Sequence, residues 1–182
     1  TWGEGDGESG VVINLTGGNK IEGTDFNSDA VAGGATVSGG TAIDTFHDTD
    51  TINGVQAFRL TDAGDAFFAG DDPYGYEADG RGGDDTMVGG AGGDLLVGDW
   101  GNDSITGGAG DDSLNGGDGE DTVVGGSGSD HVEGGNDGDT LVGGAGRDTI
   151  EGGDGYNTLD YSRETGTGGV SVNLQKAHAT DT

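Results

Sequence analysis

The stretch from Gly80 to Asp160 divides without a gap into nine nonapeptides. In chain order they read GRGGDDTMV, GGAGGDLLV, GDWGNDSIT, GGAGDDSLN, GGDGEDTVV, GGSGSDHVE, GGNDGDTLV, GGAGRDTIE and GGDGYNTLD. Position one is Gly in all nine, position four is Gly in eight, position six is Asp in eight, and position eight is always apolar. So strict a period predicts a repeat architecture rather than an ordinary globular core.

Each position of the repeat has a physical interpretation. Glycine at positions one, two and four permits positive φ and close backbone approach, so the first six residues are expected to turn tightly. The last three residues fit a very short strand with one apolar side chain pointing inward. Strand and turn alternating at a fixed period predict an all-β solenoid in which two nonapeptides complete a coil. Nine repeats then form roughly 4.5 coils.

The chemistry of the repeat lies in position six. Alternate repeats turn on the same edge of the solenoid, so one edge stacks Asp85, Asp103, Asp121, Asp139 and Asn157, and the other stacks Asp94, Asp112, Asp130 and Asp148. Rows of like charge a few ångströms apart are unfavourable unless cations lie between them. Carboxylates and backbone carbonyls together form an all-oxygen site, which suits Ca²⁺ better than Mg²⁺ because calcium tolerates flexible coordination. Four gaps on the first edge and three on the second predict about seven calcium ions.

The composition of the whole chain agrees with a metal-dependent fold. The 182 residues carry 35 acidic and six basic side chains, a formal charge of −29, and no cysteine. The absence of cysteine excludes disulfides and thiolate metal sites, and so negative a chain disfavours nucleic-acid binding. No apolar stretch is long enough to cross a membrane. High charge and low apolar content are typical of disorder, so the chain is expected to fold only when cations neutralise it.

The repeats resemble the Gly-Gly-x-Gly-x-Asp-x-U-x pattern of the RTX, or haemolysin-type calcium-binding, family. The resemblance implies a right-handed parallel β-roll in which aspartate side chains and turn carbonyls hold Ca²⁺. The position-four glycines are the candidate carbonyl donors: Gly83, Gly92, Gly101, Gly110, Gly119, Gly128 and Gly146. It also implies type I secretion from a Gram-negative bacterium to the extracellular space or cell surface. Two departures are expected to matter: Asp137 replaces a turn glycine, and Asn157 removes one negative ligand.

The flanks of the array are degenerate but rich in β-forming residues. The segment Asp50 to Asp71 resembles the lead-in of RTX arrays, with Asp65 in the position-six slot as a further candidate calcium ligand and Phe67 as the inward residue. We therefore divide the chain into a lead-in or cap (1–79), the calcium-binding roll (80–160) and the start of a following β segment (161–182). GVVINLT at 10–16 and GVSVNLQ at 169–175 are alike, which indicates tandem copies in a larger protein or a chance similarity of strands.

No catalytic motif is found in the sequence. It has no HExxH helix, no G-x-S-x-G elbow and no P-loop, and its three histidines are scattered. The sequence thus predicts a non-catalytic, monomeric module that folds on extracellular calcium and adjoins other domains of a larger secreted or surface protein. Two alternatives remain: an accessory module of an exported protease, lipase or alginate epimerase, or part of an adhesin that acts as a spacer or surface binder.

Overall fold

A computed structural model describes residues 10–15, 21–22, 36–37, 41–43, 49–51, 55–70 and 73–162. Within these ranges the regular elements are seventeen β-strands, and no helix has the length and apolar character that a membrane crossing requires. The strands are β1 (Val12–Asn14), β2 (Ile21–Glu22), β3 (Thr36–Val37), β4 (Thr41–Ile43), β5 (Thr49–Thr51), β6 (Ala57–Arg59), β7 (Ala66–Phe68), β8 (Glu77–Asp79), β9 (Thr86–Ala91), β10 (Leu95–Trp100), β11 (Ser104–Ala109), β12 (Ser113–Asp118), β13 (Thr122–Gly128), β14 (His131–Asn136), β15 (Thr140–Gly146), β16 (Thr149–Gly153) and β17 (Thr158–Leu159).

The strands form two stacked ladders whose neighbours lie one coil apart. A nine-stranded sheet has the order β17-β15-β13-β11-β9-β7-β1-β4-β5, and a six-stranded sheet has the order β16-β14-β12-β10-β8-β6. Pairing is parallel from β17 to β1 and throughout the six-stranded sheet. Met87 lies opposite Ile105, which lies opposite Val123, so the register advances by two nonapeptides per coil. The predicted all-β parallel roll is confirmed.

The strands are longer than the repeat alone predicted. Strands β9 to β12 each span six residues, from position seven of one repeat to position three of the next. The prediction of a three-residue strand and a six-residue turn was wrong because glycines one and two remain in the ladder. Without side chains they let adjacent coils approach closely: a Cβ on Gly108 would overlap the carbonyl group of Gly90. The turn proper is confined to positions four to six.

The hydrophobic core is a thin column along the axis of the roll. Its repeat-borne members occupy position eight and are at most 2% exposed: Met87, Leu96, Ile105, Leu114, Val123, Val132 and Leu141. One aliphatic side chain for every nine ordered residues is little apolar burial against the conformational entropy lost on folding. Another source of stability is therefore needed along the array.

The roll extends beyond the regular repeats into the lead-in. Strand β6 pairs with β8, β7 pairs with β9, and β1 pairs with β7, all in parallel. Six strands thus stack in the smaller sheet, so the roll has about six coils, more than the 4.5 predicted for the nine regular repeats, because the lead-in adds coils of its own. Phe67 lies opposite Met87 and is fully buried, which confirms its predicted inward direction. The segment 169–175, which resembles 10–16, lies outside the described residues.

Asp137 adopts the backbone conformation of the glycine it replaces. Its φ is 73°, in the left-handed region, and the ladder around it is intact: Asp121 N donates to Asp139 Oδ1 at 3.0 Å, and Asp139 N donates to Asn157 Oδ1 at 2.9 Å. The departure from the repeat therefore leaves the ladder geometry unchanged. Its cost is backbone strain, because a left-handed φ costs a non-glycine residue about 1–2 kcal/mol.

Asp137→Gly is expected to stabilise the calcium-bound chain by about 1 kcal/mol, measured by urea unfolding in millimolar calcium. The variant relieves the left-handed φ and removes a negative charge that acts on Asp139. Asp154→Gly is the matched control, since it removes the same charge from an exposed residue outside the left-handed region. Equal stabilisation by the two substitutions, or no stabilisation by Asp137→Gly, would contradict the strain argument.

Candidate metal centre

The position-six aspartates lie at the two edges where the chain passes from one sheet to the other. Asp85, Asp103, Asp121 and Asp139 directly precede strands of the nine-stranded sheet, whereas Asp94, Asp112 and Asp130 precede strands of the six-stranded sheet. All seven are at most 3% exposed. Asp148 and Asn157, in the last coil, are partly exposed. The structure thus brings the predicted carboxylates together as two buried columns.

One oxygen of each carboxylate ties successive coils together. Along the first edge, Asp85 N donates to Asp103 Oδ1 and Asp103 N donates to Asp121 Oδ1, both at 2.8 Å. Along the second edge, Asp112 N donates to Asp130 Oδ1 at 3.0 Å and Asp130 N donates to Asp148 Oδ1 at 3.1 Å. These bonds join residues 18 apart, so each Oδ1 is used in the backbone ladder.

The second carboxylate oxygen is buried without a hydrogen-bond partner in six of these aspartates: Asp85, Asp103, Asp112, Asp121, Asp130 and Asp139. In each case Oδ2 lies over the position-one glycine of its own repeat. A Cβ on Gly98 would overlap both Asp103 Oδ2 and the carbonyl oxygen of Gly116, one coil further on. A carboxylate oxygen and a backbone carbonyl oxygen therefore converge on one space.

Burial makes the carboxylates hard to ionise when no cation is present. Desolvation raises the pKa of Asp85 to about 8, that of Asp103 to about 7 and that of Asp121 to about 6, against an ordinary value of 3.8. Backbone N–H donors from the preceding coil (Asp65 N for Asp85, Asp85 N for Asp103 and Asp103 N for Asp121) lower these pKa values only partly, and neighbouring carboxylates raise them. Burial also raises the pKa of four others: Asp65, Asp112, Asp130 and Asp139.

These features together fit a hard cation bound by oxygen. Among the described residues, no three His, Asp or Glu side chains converge on a single point, so a metal ion here would complete its shell with backbone carbonyls. Convergent carboxylate and carbonyl oxygens in a flexible turn suit Ca²⁺. A divalent cation would also lower the pKa of the buried carboxylates, because opposite charge favours their ionised form.

Comparison with known families agrees with this chemistry. The family model of the RTX calcium-binding nonapeptide repeat matches four copies, over residues 78–96, 97–132 and 133–163. Residues 78–163 form an RTX calcium-binding repeat array. No curated protein and no solved structure matches the chain. Repeats of this family bind calcium, so the resemblance seen in the sequence is confirmed for this segment.

Within the RTX array, the structure places the predicted carbonyl donors along the axis. The position-four carbonyls of Gly92 and Gly110 face the α-carbons of Gly110 and Gly128 in the next coil, at turns with φ of 129° and 147°. The carbonyls that lie beside the aspartate Oδ2 atoms are those of position one, such as Gly116 and Gly134. The ligand role of position four remains a prediction, and the position-one carbonyl is a further candidate donor that the sequence reasoning missed. The sequence feature that singles out position one is the glycine that all nine repeats carry there.

Two positions of the column, Asn157 at its end and Asp65 at its start, differ from the RTX aspartates: the first lacks a carboxylate oxygen, and the second keeps both oxygens but has hydrogen-bond donors on each. Asn157 Oδ1 accepts from Asp139 N, but its Nδ2 lies beside Gly152, where the aspartates place an oxygen. An amide N–H₂ is a donor and cannot bind a cation, so this end of the column lacks a ligand. Asp65 keeps its carboxylate, but both oxygens accept hydrogen bonds from Thr61.

Gly116→Ala is expected to remove about one bound calcium ion from the RTX array and to destabilise it by about 2 kcal/mol. The new Cβ would lie between Asp121 Oδ2 and the carbonyl oxygen of Gly134. Native mass spectrometry measures the calcium count, and urea unfolding measures the stability. Gly82→Ala is the control, because its Cβ would have no neighbour closer than 3.7 Å. Full calcium occupancy in Gly116→Ala would show that the metal lies elsewhere.

Proposed function

We propose that the chain is a structural module that folds when it binds extracellular calcium, within a larger secreted or cell-surface protein. One observation carries the proposal: six buried carboxylate oxygens without hydrogen-bond partners, aimed at backbone carbonyls, line a roll with a thin apolar core. Buried charges without partners destabilise a fold strongly, whereas a bound cation turns the same groups into ligands. Calcium binding would therefore supply much of the folding free energy.

The position-six columns define the proposed sites. Four gaps lie along the column from Asp85 to Asn157 and three along the column from Asp94 to Asp148, so about seven calcium ions would bind, most weakly in the gap beside Asn157, which lacks one carboxylate oxygen. Seven divalent ions would change the formal charge from −29 to about −15. Adjacent sites share an aspartate, so binding is expected to be cooperative along the roll.

The same design suits export. In a cytosol with little free calcium, the carboxylates within each aspartate column repel one another and the chain stays extended. Extracellular modules bind calcium with Kd of about 10⁻⁴–10⁻³ M, so calcium outside the cell would fill the sites. We therefore place the protein outside a Gram-negative cell and assign the RTX array a spacer role between neighbouring domains, with 1–79 as the lead-in and 161–182 as the start of the next segment.

Circular dichroism during a calcium titration tests the proposal. Starting from calcium-free buffer, β structure is expected to appear in one steep transition at submillimolar to millimolar calcium, with Mg²⁺ much less effective. Native mass spectrometry at saturation should count about seven ions. Full β structure in excess chelator would overturn the proposal.

A further inference from the structure

The start of the roll is held together differently from the RTX array. Asp65 occupies the first position of the aspartate column, is 1% exposed, and donates its own N–H to Asp85 Oδ1 at 2.7 Å. Its Oδ2 accepts from Thr61 N at 2.7 Å and from Thr61 Oγ1 at 3.1 Å, and its Oδ1 accepts from Val11 N and from Thr61 Oγ1. Protein donors thus fill the places that a metal ion would take, so Asp65 does not fit a calcium ligand.

The apolar core is also largest at this end. Phe58, Phe67 and Tyr76 form an aromatic cluster with ring centroids 5.2–6.3 Å apart, whereas each later nonapeptide contributes one smaller, non-aromatic side chain to the core. Aromatic side chains bury more surface than aliphatic ones, and pairs of rings at these distances attract further. This coil therefore has the apolar burial that the RTX array lacks.

Positive charge is supplied by the protein itself at this end. Arg59 Nε lies 3.0 Å from Asp79 Oδ2, and an Arg81 guanidinium nitrogen lies 2.9 Å from Asp62 Oδ1. Strand β1 is the last parallel strand of its sheet and binds the edge of β7 through backbone hydrogen bonds, with Ala66 N donating to Val11 O at 2.9 Å and Leu15 N donating to Phe68 O at 2.7 Å. Backbone hydrogen bonds, aromatic contacts and two arginine ion pairs thus stabilise the first coil.

We infer that residues 10–15, 55–70 and 73–79 form a metal-independent cap on which the calcium-bound coils assemble, beginning at Asp85. The inference rests on the proposed calcium-driven folding of the RTX array. In the folded cap, β7 offers a strand edge with which β9 pairs, and Asp65 N offers a donor for Asp85 Oδ1. The first calcium-dependent coil can therefore assemble on the cap as on a template. Folding then propagates from this end, because in a solenoid each coil contacts only its neighbours.

Hydrogen–deuterium exchange of the full chain, followed by mass spectrometry, tests the inference. In calcium-free buffer with chelator, amides in 57–68 are expected to exchange at least about tenfold more slowly than amides in 104–153. In millimolar calcium both ranges should be protected. Rapid exchange of both ranges in chelator would overturn the cap while leaving calcium-driven folding intact. Protection of both in chelator would instead overturn the proposed function on which the inference rests.

Two variants separate a cap from a metal site. Thr61→Val keeps the volume but removes the hydroxyl that donates to Asp65, so exchange in 57–68 should rise about tenfold in chelator while the calcium count at saturation is unchanged. Asp121→Asn, in the middle of the RTX array, should lower the calcium count and leave exchange in 57–68 unchanged. If Thr61→Val lost one calcium ion with no change of exchange in chelator, Asp65 would belong to a metal site and the inference would be wrong.

Discussion

Asp121→Asn is expected to lower the number of bound calcium ions by two and to destabilise the calcium-bound chain by about 3 kcal/mol. Asp121 borders two gaps of its column, one towards Asp103 and one towards Asp139, so both sites lose an anionic ligand. At calcium about tenfold above a Kd of 10⁻⁴–10⁻³ M, each site contributes about 1.4 kcal/mol. Native mass spectrometry gives the count, and urea unfolding at that calcium concentration gives the stability.

The natural Asn157 indicates how the substituted side chain will sit. Its Oδ1 keeps the bond from the preceding coil, and its Nδ2 takes the place of the missing oxygen beside Gly152. Asp121→Asn should thus preserve the bond from Asp103 N and lose only the metal ligand. Asp154→Asn is the control, because it removes the same charge from an exposed side chain. An unchanged calcium count in Asp121→Asn would place the ions outside the aspartate columns.

The period of the repeat was enough to predict the fold, because only one register of adjacent coils aligns every position of the repeat with the same position two repeats later. A repeat of nine with apolar position eight aligns Met87, Ile105 and Val123 on one side of the core, and the same arithmetic stacks Asp85, Asp103 and Asp121. Both columns follow from spacing alone. The structure confirms each of them.

What the sequence could not show depends on contacts between coils. Glycine is a poor strand former by propensity, yet Gly107 and Gly108 lie within β11 because neighbouring coils supply the backbone partners. The carbonyl of Gly116 reaches Asp103 Oδ2 only through the packing of one coil on the next. The hydrogen-bond donors to Asp65 are Val11, 54 residues away, and Thr61, so the spacing of the sequence could not show what surrounds its carboxylate.

Acid is expected to substitute for calcium as a trigger of folding. The folded-state pKa values of Asp85, Asp103 and Asp121 are about 8, 7 and 6, whereas an unfolded aspartate has a pKa near 3.8. As the pH falls from about 8 towards 4, the folded state takes up protons that the unfolded state does not. The free energy of unfolding therefore rises with acidity, and the gain is complete only below the unfolded pKa. The sum over these buried groups is on the order of several kcal/mol.

Circular dichroism of the calcium-stripped chain, titrated from pH 8 to pH 4 in calcium-free buffer, measures this effect. β structure should appear as the pH falls and disappear when it is raised again, whereas in saturating calcium it should persist across the upper part of the range. Asp103→Asn combined with Asp121→Asn should weaken the pH dependence, because amides do not titrate. Asp118→Asn combined with Asp154→Asn removes two exposed charges and should leave the transition in place, which separates buried carboxylates from general charge repulsion. A calcium-stripped chain that gains β structure as the pH rises would contradict the assignment of buried, uncompensated carboxylates, since protonation of those groups can only favour the roll.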